Sequence, residues 1–265
     1  MFKNQVVVWF MSVGFLLGAC KSPSQRIQEN QADDSIVRDS LETTPPPCAG
    51  IDWSELKGNI NPSSHPDFDV VPIALTRKPK IYLRKEALDA LTSMAAAAKE
   101  AGFDIEVISA TRSWEHQKNI WNRKWSSPKY MGFAPLERAT KILEYSSMPG
   151  SSRHHWGTDV DLNALENTYF ESGRGLALYE WLTAHADAFG FTQVYGDQSN
   201  GRTGYQEEKW HWSYWPLSSD YLRCYVSQPN DALFSGFQGA ELSDTLGIID
   251  RYVLGIDRPK EGTNR

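Results

Sequence analysis

From Lys21 to Pro47 the chain is rich in Ser, Gln, Asp, Glu and Thr, has few large apolar residues, and closes on Pro45-Pro46-Pro47. Such a stretch cannot bury enough surface to offset the entropy of ordering it, so a folded core has to begin after the prolines. Residues 20–47 therefore read as a flexible tether that the prolines stiffen at its exit. Beyond it, Cys48 to Tyr225 supplies roughly 180 residues, enough for one domain with a real core. No segment repeats at a fixed period. Residues 226–265 hold an apolar helix candidate, Glu241 to Leu254, and a polar end. They are expected to pack on the domain as an appendage.

Within the domain, Lys80 to Leu83 is a short strand candidate. Lys85 to Ala101 reads as a helix, because Leu88, Leu91, Ala95 and Ala98 fall on one face of a 3.6-residue period. Gly102 ends it, and Asp104 to Ser109 follows as a strand. Ser113 is a plausible N-cap for a helix reaching Trp125, and Leu136 to Glu144 forms another. Thr158 to Leu162 looks like a strand, Leu176 to Ala188 a helix stopped by Gly190, and Phe191 to Tyr195 and Trp210 to Trp215 two more strands. Helices and short strands without regular alternation indicate an α+β fold rather than a doubly wound sheet.

Residues 1–19 read as an address rather than part of the fold. Lys3 precedes the apolar run Val6 to Leu17, about a dozen residues, too short to cross a bilayer comfortably. The run ends in Leu17-Gly18-Ala19-Cys20. This resembles the bacterial lipoprotein signal, in which the peptide is cut before the cysteine and the thiol is acylated. The other reading is an ordinary secretory signal with an incidental cysteine. Either way the chain is expected to be exported, and in the first case lipid-anchored at Cys20 to a bacterial membrane facing the periplasm or cell envelope. A formal net charge of −6 with no basic run argues against nucleic acid as a partner and against attachment through a polybasic surface. Cys48 and Cys224 lack metal-knuckle spacing. In an oxidising compartment the pair suggests one disulfide; two free buried thiols are the alternative.

The six histidines are His65, His116, His154, His155, His185 and His211. Two settings stand apart: Ser152-Arg153-His154-His155-Trp156-Gly157-Thr158-Asp159-Val160-Asp161, and Glu208-Lys209-Trp210-His211. A hydrolytic zinc site needs three protein ligands, one open position for water, and a carboxylate outside the ligand set to take the water's proton. His154, Asp161 and His211 can supply the ligands and Glu208 the base. Glu208 and His211 are three residues apart, so an ideal strand would send them to opposite faces. A turn or bulge just before Trp210 is therefore expected. Gly157 lets the chain reverse between His154 and the strand carrying Asp161.

The order of these blocks resembles the VanY-type D-alanyl-D-alanine carboxypeptidases, within the zinc group that also holds lysostaphin-type enzymes and the hedgehog amino-terminal domain. The S-x-H-x-x-G-x-x-x-D pattern from Ser152 to Asp161 is followed downstream by E-x-W-H from Glu208 to His211. A third block, S-x-x-R-S-x-x-x-Q from Ser109 to Gln117, lies upstream in the expected place. The similarity runs over roughly residues 52–225 and implies a single domain with a small mixed, largely antiparallel sheet packed by helices.

That resemblance implies Zn2+ held by His154, Asp161 and His211, with Glu208 as base and then acid. It makes Arg112 the group that stabilises the oxyanion, and Ser152 and Gln117 the residues that dock the substrate's peptide and terminal carboxylate. Asp159 shares a strand face with Asp161, so the choice between them rests on register with the family motif, which selects Asp161. Asp159 is then a supporting or ion-pairing group, and His155 a non-ligand lining the cleft. Trp156, Trp210, Trp212 and Trp215 read as core, some of them walling the cleft. The implied activity is hydrolysis of the terminal D-Ala-D-Ala bond of peptidoglycan stem peptides by a monomer. The alternatives are a peptidoglycan endopeptidase on the same zinc site and a zinc-bearing cell-wall binding module without turnover.

Overall fold

A computed structural model describes residues 48–228 and 234–259. The expected signal peptide, Cys20 and the tether lie outside the described residues. The elements, in chain order, are α1 (Trp53–Leu56), β1 (Phe68–Val70), β2 (Tyr82–Arg84), α2 (Lys85–Glu100), β3 (Val107–Ser109), α3 (Trp114–Trp125) and α4 (Pro135–Leu143). A 3-10 turn at Arg153–Trp156 leads into β4 (Asp159–Leu162), followed by α5 (Gly173–His185), β5 (Phe191–Thr192), β6 (His211–Tyr214) and α6 (Trp215–Val226). The central sheet has the order β3-β4-β6-β5, and each of its registered pairs is antiparallel. A two-stranded antiparallel pair, β1-β2, lies apart from it. The architecture is α+β.

Periodicity explains α2 well. Leu88, Leu91, Ala95 and Ala98 are buried as the 3.6-residue face requires, joined by Ala87 and Met94. Its end is a Schellman motif: Gly102 adopts φ 89, Gly102 N–H donates to Lys99 O, and Phe103 N–H donates to Ala98 O. At α3 the Ser113 hydroxyl accepts from His116 N–H, as an N-cap does.

Alternation along the central strands divides their side chains between two jobs. Val160 and Leu162 of β4, with Trp212 and Tyr214 of β6, join a core that includes Leu83, Leu91, Met94, Leu178 and Leu182. Asp159, Asp161, His211 and Ser213 take the alternate positions of the same two strands, and all four are buried too. A second core contains Trp121, Trp156, Tyr195, Tyr205, Tyr225 and Tyr252. The polar face of the sheet is thereby shielded, and polar groups buried there must find partners within the protein.

Two expectations need correction, and one helix has no counterpart among them. Residues 234–259 are not an appendage: Phe237, Leu246, Ile248, Tyr252 and Val253 belong to the second core, and the Trp121 indole N–H donates to Gln238 O. The helix expected over Glu241 to Leu254 is broken by Gly247 at φ 62 into Ser243–Leu246 and a π-helical turn, Ile248–Val253. The segment after β6 is helix α6, with proline in its first turn, where a missing N–H costs nothing. A disulfide joins Cys48 to Cys224 of α6, fastening the two ends of the expected domain across 176 positions.

Candidate metal centre

Antiparallel pairing sets Asp161 of β4 directly opposite His211 of β6, and Asp159 opposite Ser213. His154 arrives on the 3-10 turn before β4. Gly157, at φ 73, turns the chain back after it, and a Cβ there would collide with the Phe68 ring. One donor atom each from His154, Asp161 and His211 lies within 4.8 Å of the others. Glu208 reaches the site because His211 N–H donates to Glu208 O, closing a turn just before the strand. The irregular backbone expected ahead of Trp210 is there.

In the neutral form, hydrogen bonding leaves one bare nitrogen on each imidazole. The Nδ1–H of His154 donates to Ala110 O at 2.8 Å, so its Nε2 faces Asp161 Oδ1 at 3.3 Å as a lone pair. The Nε2–H of His211 donates to Asp159 Oδ2 at 2.9 Å, so its Nδ1 faces the same Asp161 oxygen at 3.2 Å. His154 Nε2 and Asp161 Oδ1 are buried without a hydrogen-bond partner. Lone pairs converging in a buried space repel unless they share a cation. Ligands at about 2.0–2.2 Å from a tetrahedral zinc are roughly 3.3–3.5 Å apart, and Asp161 Oδ1 keeps nearly that spacing to each imidazole nitrogen. Two imidazoles and a carboxylate are also a donor set that zinc accepts. The residues fit the ion.

The surrounding groups hold this arrangement. Asp159 accepts from Arg153, Thr158, Ser213 and His211, the second-sphere carboxylate that a histidine ligand commonly needs. Burial alone would raise the Asp159 carboxyl; Arg153 and His211 outweigh it and keep it ionised. Burial likewise opposes charge on Asp161, but His154, His211 and Arg112 hold it well below the usual carboxylate range. Burial disfavours charge on His211 as well. Its bonds to Asp159 and Asp161 nonetheless draw its pKa up to about 9, so proton and metal would compete for its Nδ1. Glu208 is different. Burial, the largest effect, lifts it to about 7 against the pull of His211, Arg112 and Lys124.

Arg112 lies over the other side of Asp161. Its Nη2 donates to Asp161 Oδ2 at 2.8 Å, its Nη1 to Gln117 Oε1 at 3.1 Å, and its Nε to Ser109 Oγ at 3.1 Å. A guanidinium has five N–H groups, so two remain for the cavity that Arg112 lines. That cavity encloses about 620 Å³ and is also lined by Ser152, His154, Asp161, Glu208 and His211. The Ser152 hydroxyl is buried without a partner, as a group awaiting a substrate's peptide would be.

Gln117 and His155 are placed otherwise than expected. Gln117 is fully buried behind Arg112, its oxygen taken by that guanidinium and its amide donating to Ser147 O. It positions Arg112 and does not line the cavity. His155 is no ligand, but neither does it line the cleft: Nδ1–H donates to Arg112 O and Nε2 accepts from Gly150 N–H, in full burial. Among the tryptophans, Trp210 walls the cavity, while Trp156 and Trp212 lie in the two cores. Sequence reasoning missed Tyr195, whose ring packs on His211 at 4.6 Å between centroids, and Lys124 on the cavity wall. No local pattern marks either.

Comparison with known proteins agrees with this geometry. The family model described as VanY: D-alanyl-D-alanine carboxypeptidase matches residues 80–217. YodJ of Bacillus subtilis (strain 168), which bears a carboxypeptidase name, is 31% identical over 164 residues, 60% of this chain and 56% of that protein. A D-alanyl-D-alanine carboxypeptidase of Enterococcus faecalis (strain ATCC 700802 / V583) is 27% identical over 165 residues, 62% of this chain and 59% of that one. The chain thus matches little more than half the length of these relatives. A solved structure of VanYB in complex with D-alanine-D-alanine shares 24% identity at a TM-score of 0.45, covering 62% of this chain and 84% of its own. The match over residues 80–217, which contains the whole three-donor site, places the chain in the VanY D-alanyl-D-alanine carboxypeptidase family.

Proposed function

We propose that this chain is a zinc-dependent D-alanyl-D-alanine carboxypeptidase that removes the last D-alanine from peptidoglycan stem peptides. One observation carries the reading: a buried carboxylate outside the ligand set lies beside the three donors, with Glu208 Oε2 3.5 Å from His211 Nδ1. Bound zinc supplies Lewis acidity, lowering the pKa of a water towards about 7 and polarising the scissile carbonyl. The protein's own residues move the proton. Glu208, poised near neutrality, takes it from the attacking water and delivers it to the departing amine nitrogen as the C–N bond breaks. Arg112 turns its two remaining N–H groups to the carbonyl oxygen as that oxygen gains charge. Ser152 offers its unpartnered hydroxyl to the substrate backbone. Family membership and the name of the Enterococcus relative support the substrate.

The test is an assay of D-alanine release from a stem pentapeptide, with zinc quantified in the same samples. Wild type should release D-alanine, and Glu208→Ala should keep zinc and release none. Internal cuts in intact muropeptides, seen by mass spectrometry, would mark an endopeptidase instead. Zinc-loaded protein that binds stem peptides and never cleaves them would mark a binding module.

We propose as well that acylation of Cys20 anchors the chain to a bacterial membrane. The Leu17-Gly18-Ala19-Cys20 sequence supports this. Incorporation of radiolabelled palmitate in wild type and its loss in Cys20→Ala is the expected result.

A further inference from the structure

A peptidase that acts only at chain ends has to recognise an α-carboxylate next to the scissile bond, and a desolvated carboxylate needs a fixed cation. The buried arginines near the metal centre already have their charge matched by a carboxylate, although Arg112 keeps two N–H groups and Arg153 Nη1 has no hydrogen-bond partner. Arg112 is matched by Asp161 and held by Gln117 and Ser109. Arg153 is matched by Asp159 and donates also to Ser213. Gln117, expected to dock the carboxylate, is sealed behind Arg112.

Lys124 is placed differently. It projects from the last turn of α3 into the same cavity as His154, Glu208 and His211. Its ammonium donates to the hydroxyl of Ser146, itself buried. Among the described residues Glu208 is the acid that acts on it, and only through space. Burial depresses its pKa, and the neighbouring cations Arg112, Lys129 and Arg123 add to that. Among the described residues no carboxylate makes an ion-pair contact with this half-buried ammonium, which an arriving anion would therefore stabilise. Lys78, Lys80 and Arg123 also line this cavity, so a chain of net charge −6 gathers cations at the opening that a substrate carboxylate would enter.

We propose that Lys124, steadied by Ser146, binds the free terminal carboxylate of the substrate and makes the site selective for chain ends. The assignment rests on the carboxypeptidase reading above. Lys124 acts in binding, so its loss should appear in KM far more than in kcat.

The experiment uses zinc-loaded full-length protein carrying Glu208→Ala, so that bound peptide survives. Calorimetry compares diacetyl-L-Lys-D-Ala-D-Ala with the same peptide amidated at its C-terminus. The free acid should bind about 10- to 100-fold more tightly, the range expected for a charge-assisted hydrogen bond. Adding Lys124→Met, which keeps the apolar stem, should weaken the acid to the level of the amide and leave the amide unchanged. Lys124→Arg should retain the preference. Zinc content and melting temperature, measured alongside, show that each variant is folded. Persistence of the preference in folded Lys124→Met overturns the proposal. Loss of the preference in Lys124→Arg overturns it as well. Equal affinity for acid and amide before any change at position 124 also overturns it, and leaves the carboxypeptidase reading to its own D-alanine assay.

Discussion

Asp161 Oδ1 lies 3.2 Å from His211 Nδ1, directly across the ladder between β4 and β6. A single hydrogen-bonded strand pair therefore delivers two of the three metal donors, and the third comes from the turn entering β4. Asp159, two residues before Asp161, grips the far nitrogen of His211. Replacing Asp161 or His211 with Ala should abolish stoichiometric zinc. Asp159→Asn should weaken zinc by about 10- to 100-fold, because it loosens a ligand without removing one. Competition against a chromophoric chelator measures both, and equal losses at 159 and 161 would contradict the division of roles.

Glu208 has a pKa raised to about 7 by burial, and only its ionised form can accept a proton. Activity should therefore rise with pH through an acid limb and fall away as Glu208 protonates. A bound dication stabilises the carboxylate, so the midpoint of that limb should lie at or below about 7. Glu208→Gln should lower kcat by about 10²–10⁴-fold with zinc retained. Profiles of kcat/KM against pH for wild type and Glu208→Gln test this; an unshifted limb in any residual activity of the variant would assign it to another group.

Gln117 bridges Arg112 Nη1 and Ser147 O from full burial. Gln117→Ala leaves a buried carbonyl without a donor and should cost about 1–3 kcal/mol of stability. It should also lower kcat at unchanged zinc content, since Arg112 loses one of its three anchors. Urea unfolding together with single-turnover hydrolysis reads the two effects apart.

How far the sequence revealed this site depended on whether the signal was local. The strand alternation of Val160 and Leu162 against Asp159 and Asp161, and the turn between Glu208 and His211, are set by residue spacing, and both are present as expected. Helix α2 and its Gly102 stop were legible for the same reason. In sequence Gln117 looks like a substrate-facing residue, because its burial depends on Ser147, thirty positions away. The C-terminal segment looks like an appendage, because its place in the core is set by contacts to Trp121 and Tyr205. Helix α6 was hidden by Trp215-Pro216, which reads equally well as the end of a strand.

His155 should remain neutral well below the usual histidine range. Burial lowers its pKa to about 3, and both ring nitrogens are used in the neutral form, one donating to Arg112 O and one accepting from Gly150 N–H. The unfolded chain takes up this proton near pH 6.5, so the stabilisation is complete above that value. It is lost as pH falls towards 3, at up to about 1.4 kcal/mol per pH unit. Nitrogen NMR should show the neutral Nδ1–H tautomer at pH 5; an imidazolium signal from a folded protein at that pH would contradict the assignment.

The most direct measurement of the central claim is an anomalous difference map at the zinc edge from crystals grown with zinc. The account predicts one strong peak within about 2.0–2.2 Å of His154 Nε2, Asp161 Oδ1 and His211 Nδ1, with Glu208 outside bonding distance. A peak held by Glu208 or Asp159 in place of Asp161, or no peak among these residues, would contradict it.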